Sequence, residues 1–103
     1  MRFLVTAMPR HPTPPEMGFG PVQAMKSFSE RYRAKTELDW AFAGLSGGGA
    51  IVNVDSHEEL DQMLSEFPFG PFSEMKVMAI TELSTSMDNL ARTLEMAMEG
   101  AAR

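Results

Sequence analysis

His11, Tyr32 and Asn53 are the side chains of this sequence that suit proton transfer to and from a carbonyl compound. An imidazole titrates near neutrality, so His11 can take up or return a proton at working pH. It follows the first apolar segment, in a proline-rich stretch of the kind that carries function beyond a strand end. An idle loop histidine is the ordinary alternative. Tyr32, the only tyrosine, falls on the apolar side of an amphipathic segment. Its hydroxyl either polarises a substrate carbonyl or satisfies a structural hydrogen bond. Asn53 interrupts the apolar run Ala50-Ile51-Val52-Asn53-Val54 and, depending on its face, meets solvent, a subunit seam or a ligand. Phe28, Trp40, Phe42, Phe69 and Phe72, with Ser29 as a polar spot on the first helix, are candidates to line an apolar pocket for a small organic ligand. The same aromatics also serve a small core. The basic residues Lys26, Arg31, Arg33 and Lys35 are read as a solvent face or as an attraction for an anionic substrate.

Other chemistries fit less well. Gly44-Leu45-Ser46-Gly47-Gly48 has the spacing of a serine-hydrolase elbow, but that motif needs a sharp strand-to-helix turn and here another strand follows. The same order of elements argues against a phosphate-cradling loop, which opens a helix. With no cysteine there is no disulfide, thiolate nucleophile or cysteine metal site. His57-Glu58-Glu59-Leu60-Asp61 starts like a zincin helix but lacks the second histidine, so no metal is expected. A net charge of −5 argues against binding nucleic acid through its phosphates. No apolar run is long enough for a membrane span, and the expectation is a soluble cytoplasmic protein. Ten methionines in 103 residues suit an adaptable apolar surface or stand in for leucine in the core.

The elements that must position these groups follow from periodicity. Residues 3–8 read as a central strand, and Pro21 opens a helix running to about residue 36. Residues 38–45 read as a second strand, with Trp40 and Phe42 on one face and Asp39 and Ala41 on the other. After the glycine turn comes a third strand, 50–54. Ser56 and Glu59 form a capping box. Leu60, Met63, Leu64 and Phe67 then repeat at helical spacing until Pro68 stops the helix. A fourth strand covers 73–83. Ser86 can cap a last helix carrying the stripe Met87, Leu90, Ala91, Leu94, Ala97 and Met98. The order β-α-β-β-α-β is the ferredoxin-like arrangement of an α+β protein. Residues 1–85 form the domain, and 86–103 form a helical extension packing on its own or a partner subunit. Two helices on one face leave the other face of the sheet bare. A second sheet would cover it, giving a homodimer of the dimeric α+β barrel type.

Met1-Arg2-Phe3-Leu4-Val5, the glycine-rich hairpin, Val52-Asn53-Val54-Asp55-Ser56-His57-Glu58-Glu59-Leu60 and Phe67-Pro68-Phe69-Gly70-Pro71-Phe72 together resemble the muconolactone isomerase-like family over nearly all of residues 1–83. These are cap, turn and core signals, so the resemblance is one of a diverged member. It implies a ferredoxin-like subunit, a homodimer or higher homo-oligomer, no cofactor, and an isomerase that moves a double bond within a lactone by proton abstraction and return. Two departures stand out. Leu45-Ser46-Gly47-Gly48-Gly49 replaces a polar segment before the third strand, and Ser29 lies near the place of a helix-one carboxylate. The expected function is a small cofactor-independent isomerase or cyclase acting on a hydrophobic lactone or carbonyl compound. Its expected catalytic groups are His11, Tyr32 and Asn53. The alternative is a non-catalytic small-molecule-binding or accessory protein of a biosynthetic pathway.

Overall fold

In the computed structural model, which describes residues 1–102, the apolar segment after Met1 is strand β1 (Arg2–Pro9). It is followed by helix α1 (Gly20–Arg31), strands β2 (Thr36–Ala41) and β3 (Gly48–Asn53), helix α2 (His57–Ser65), strand β4 (Ser73–Ile80) and helix α3 (Leu83–Ala102). The strands form one sheet in the order β2-β3-β1-β4, with antiparallel neighbours throughout. This is the ferredoxin-like α+β arrangement.

Strand parity sets the two faces of the sheet, since neighbouring residues point to opposite sides. Phe3, Val5 and Ala7 are buried, as is Val52, the partner of Phe3. Phe3, Val5, Val52 and Val54 meet Leu60 and Met63 of α2 in the core, with Phe28 of α1 and Tyr32 at its C-cap packed against the cluster. Leu4, Thr6 and Met8 point the other way, where Leu4 pairs with Ile51 and Met78. No helix covers that face, and Met78 is half exposed.

The capping box forms. The Ser56 hydroxyl accepts the Glu59 amide at 3.1 Å, and the Glu59 carboxylate accepts the Asp55 amide at 3.1 Å. Lys35 reaches Asp55 and Glu59 at 3.1 and 3.2 Å, tying the end of the first crossover to the start of α2. The glycine turn has a steric cause. Gly47 has φ of 106°, and a Cβ there would strike the carbonyl oxygen of Ala7. A Cβ at Gly48 would strike the carbonyl oxygen of Trp40, and one at Gly49 would lie 2.5 Å from the Trp40 ring.

Several boundaries differ from the sequence expectation. Helix α1 ends at Arg31, and a 3-10 turn over Arg33–Lys35 feeds β2. Strand β2 stops at Ala41, because Gly44 and Gly47 turn the chain with positive φ. Strand β4 stops at Ile80 and α3 starts at Leu83, ahead of Ser86. Helix α3 does not fold onto its own subunit: every residue from 83 to 101 is exposed, and the molecule extends 70 Å along its longest axis against 27 and 21 Å across.

Replacing Ser56 by Ala removes the cap acceptor of α2 and is expected to cost about 1 kcal/mol. Thermal unfolding of the variant should show a Tm lower by roughly 4–8 °C.

Candidate active site

The buried face of the sheet tapers. Along β1 the inward side chains shrink from Phe3 to Val5 to Ala7, and their partners on β3 shrink in register from Val52 to Ala50 to Gly48. The large end is the core. At the small end the layer between sheet and helices is not filled, leaving a cavity of about 670 Å³. That volume is within the usual range for small-molecule sites.

Ala7, Ala50 and Gly48 lie along its floor, and Met25, Phe28 and Ser29 of α1 with Tyr32 at its C-cap form one wall. Leu64 and Phe67 from the end of α2 form another, and Phe69, Phe72 and His11 close the rim. The titratable side chains lining it are His11, Tyr32 and Asp39, so Asp39 is its single carboxylate. Hydroxyls come from Thr13, Ser29, Thr36, Ser46 and Ser73.

His11 follows β1, and its position is held by the segment before β4. The Arg10 amide donates to the Phe72 carbonyl at 2.7 Å, and the imidazole sits edge-on to the Phe72 ring with centroids 5.6 Å apart. Its Nδ1 lies 3.2 Å from the Pro12 carbonyl oxygen. A proton on Nδ1 donates there, which leaves Nε2 with a free lone pair, the arrangement a general base needs.

Tyr32 closes α1 and packs at a tilt against Phe28, with ring centroids 5.0 Å apart. Its hydroxyl donates to the Glu66 carboxylate, which also accepts from Arg31 at 3.1 Å. The bond to Glu66 holds the Tyr32 pKa above its ordinary 10.0, with burial adding to the shift. The same bond, helped by Arg31, holds the Glu66 carboxyl below 4.5. The phenol therefore braces the end of α1 against the end of α2.

Of the residues singled out in the sequence, His11, Tyr32, Phe28, Ser29, Phe69 and Phe72 line this one cavity; Trp40 borders it from β2, but its ring lies over Gly49, whose partner Thr6 points to the bare face. Asn53 and Phe42 do not. Asn53 lies between the buried Val52 and Val54, so parity sends it to the opposite face, where its side-chain oxygen accepts from the N-terminal ammonium at 3.2 Å. Phe42 lies beyond the end of β2, its amide closing the hairpin on the Gly47 carbonyl at 3.0 Å. Asp39 lines the cavity although the sequence reading does not single it out. Its signal was present in the alternation of β2, a carboxylate one step from Ala41 on the face opposite Trp40. Glu66 had no such signal, because its partners lie 34 and 35 residues away in sequence.

No protein-family model and no curated protein sequence matches the chain. Among solved structures, muconolactone isomerase superimposes with a TM-score of 0.71 at 21% identity, covering 80% of this chain and 90% of that one. The 5-chloro-2-hydroxyhydroquinone dehydrochlorinase of Burkholderia phenoliruptrix AC1100, in complex with 2,5-dihydroxybenzoquinone, gives 0.68 at 18% identity, covering 82% and 98%. The chain has the muconolactone isomerase fold. Its cavity lies between that fold's sheet and helices. Among the described residues, no group of three or more His, Asp or Glu is placed to hold a metal ion, and no helix is long and apolar enough to cross a membrane.

Glu66 contributes stability above the ordinary carboxylate pKa and loses it as pH falls through its lowered value. Tyr32→Phe removes the largest cause of that shift. The Tm difference between wild type and Tyr32→Phe should be greatest above about pH 5 and shrink toward about pH 3. Thermal melts across that range test it, and a constant difference would show that the charge on Glu66 is not involved.

Proposed function

We propose that this protein is a small cofactor-independent enzyme that moves a proton within a hydrophobic lactone or related cyclic carbonyl compound. The observation that carries this reading is the presence of His11 and Asp39, two groups able to exchange protons, in one largely apolar cavity. A carbon acid next to a carbonyl is deprotonated when a base is in reach and the developing oxyanion is met by donors. In this reading the aromatic walls hold the ring, and His11 Nε2 or the Asp39 carboxylate takes the proton. The Ser29 hydroxyl donates to the enolate oxygen, and the proton returns at a different carbon. Tyr32, whose hydroxyl is committed to Glu66, holds the wall in place, and Asn53 has no part. Supporting the reading is the shared fold with an isomerase and a dehydrochlorinase, both of which act on small cyclic compounds. The working unit is a homodimer, because the face with Leu4, Ile51 and Met78 is uncovered in the single chain.

The test is a panel of lactones and hydroxyquinones incubated in D2O, with NMR following exchange of the hydrogen next to the carbonyl and migration of the double bond. His11→Ala and Asp39→Asn should each lower the rate of a turned-over compound by about 10²-fold or more. Rates within about tenfold of wild type for both would remove the proposed proton carriers. Binding without exchange for every compound would favour the non-catalytic reading.

Ala50→Leu puts a larger side chain on the cavity floor. It should abolish turnover or binding of the best panel compound while shifting Tm by no more than a few degrees, about 1 kcal/mol or less.

A further inference from the structure

Helix α3 is built as an interface and has nothing to meet within its own chain. Leu83, Met87, Leu90 and Leu94 recur at i, i+4, i+7 and i+11, which places them on one strip of the helix. Asp88, Arg92, Glu95 and Glu99 repeat the same spacing five residues later, on the opposite side. All four charges therefore lie on one narrow strip. The flanks of the apolar strip carry Ser84, Ser86, Ala91 and Thr93, small and uncharged. A two-stranded coiled coil has a narrow seam bordered by charged residues, whereas a helix lying on a broad body has a wide uncharged face. Helix α3 is of the second kind. Leu83 is 73% exposed, and Leu90 and Leu94 are each at least half exposed.

We infer that α3 is an arm that lays its uncharged face on the sheet-and-helix body of a second copy of this chain, the two arms exchanging reciprocally. This rests on the homodimer reading above. Three observations favour a second copy as the occupant. Every residue of the arm from 83 to 101 is exposed and the molecule is 70 Å long against 27 and 21 Å across, so its own chain leaves the face unmet. The same chain carries an unpartnered sheet face, so both surfaces needing cover are on one molecule. The area also suffices: a helix of 20 residues is about 30 Å long and about 10 Å wide. Two reciprocal arms then remove on the order of 1,200 Å² from water, the lower bound for a specific stable interface. The dehydrochlorinase is matched over 98% of its length by 82% of this chain, leaving a remainder about the size of α3.

Analytical ultracentrifugation of the full chain tests the inference, with circular dichroism confirming that each variant is folded. The wild type should be a dimer at about micromolar concentration, and Leu90→Asp with Leu94→Asp should raise the dimer Kd by about 100-fold or more. Met96→Asp, off the uncharged face, should stay within about threefold of wild type. A monomeric wild type would overturn both the arm and the homodimer. A dimer unaffected by the double substitution would overturn the arm and leave the homodimer standing. Equal weakening by Met96→Asp would overturn docking through this face. Because the chain has no cysteine, Leu90→Cys provides one unique thiol. Its ready oxidation to a disulfide-linked dimer would place α3 against α3 and overturn docking on the body.

Discussion

Strand β1 is hydrogen-bonded along both edges, to β3 in register from Arg2 to Ala7 and to β4 from Arg2 to Pro9. A strand paired on both sides cannot slip by one residue without turning every side chain to the wrong face of the sheet. Phe3, Val5 and Ala7 are thereby committed to the side where α1 and α2 pack, and Leu4, Thr6 and Met8 to the bare side. The core, the cavity and the uncovered face all follow from that parity. Asn53 illustrates its force: with Val52 and Val54 inward, its amide is carried to the far side of the sheet and meets the chain's own N-terminus.

The cavity walls belong to separate elements, and polar ties hold them together. The Tyr32–Glu66–Arg31 cluster joins the ends of α1 and α2, while Lys35 joins the start of β2 to the cap of α2. These ion pairs are largely exposed and add little stability individually. Their contribution is to the relative position of surfaces whose apolar contacts are incomplete, because the layer between them contains a void. The Arg10–Phe72 backbone bond does the same for the rim, joining the His11 loop to the turn before β4.

Much of the fold was legible in the sequence because its signals are local. The Ser56–Glu59 box, the helical stripe ending at Pro68 and the short-period strands each depend on residues within a few positions of one another. The cavity was legible in part. His11, Tyr32 and the aromatics were recognisable from type and placement, and strand parity was enough to move Asn53 away. Asp39 needed the knowledge that the floor around it is made of Ala and Gly, a fact of strand register. Glu66 needed a contact between the ends of two helices, which no local pattern encodes. The boundary errors are of the same kind. The 3-10 turn after Tyr32 and the early end of β2 are set by how the chain must reach its partner strand, and propensity alone does not carry that information.

Placing the large side chains and the small ones at opposite ends of the same paired strands separates two properties that usually compete. Substitutions at Ala7, Gly48 or Ala50 act on the volume offered to a ligand, while those at Phe3 or Val52 act on folding free energy. A lineage, or an engineer, can therefore resize the cavity in single-methyl steps at two of these positions, Ala7 and Ala50. Gly48 is the exception, because the Trp40 carbonyl closes off the space a methyl group would need. Reshaping of this cavity accordingly has a preferred route, through the alanines of β1 and β3.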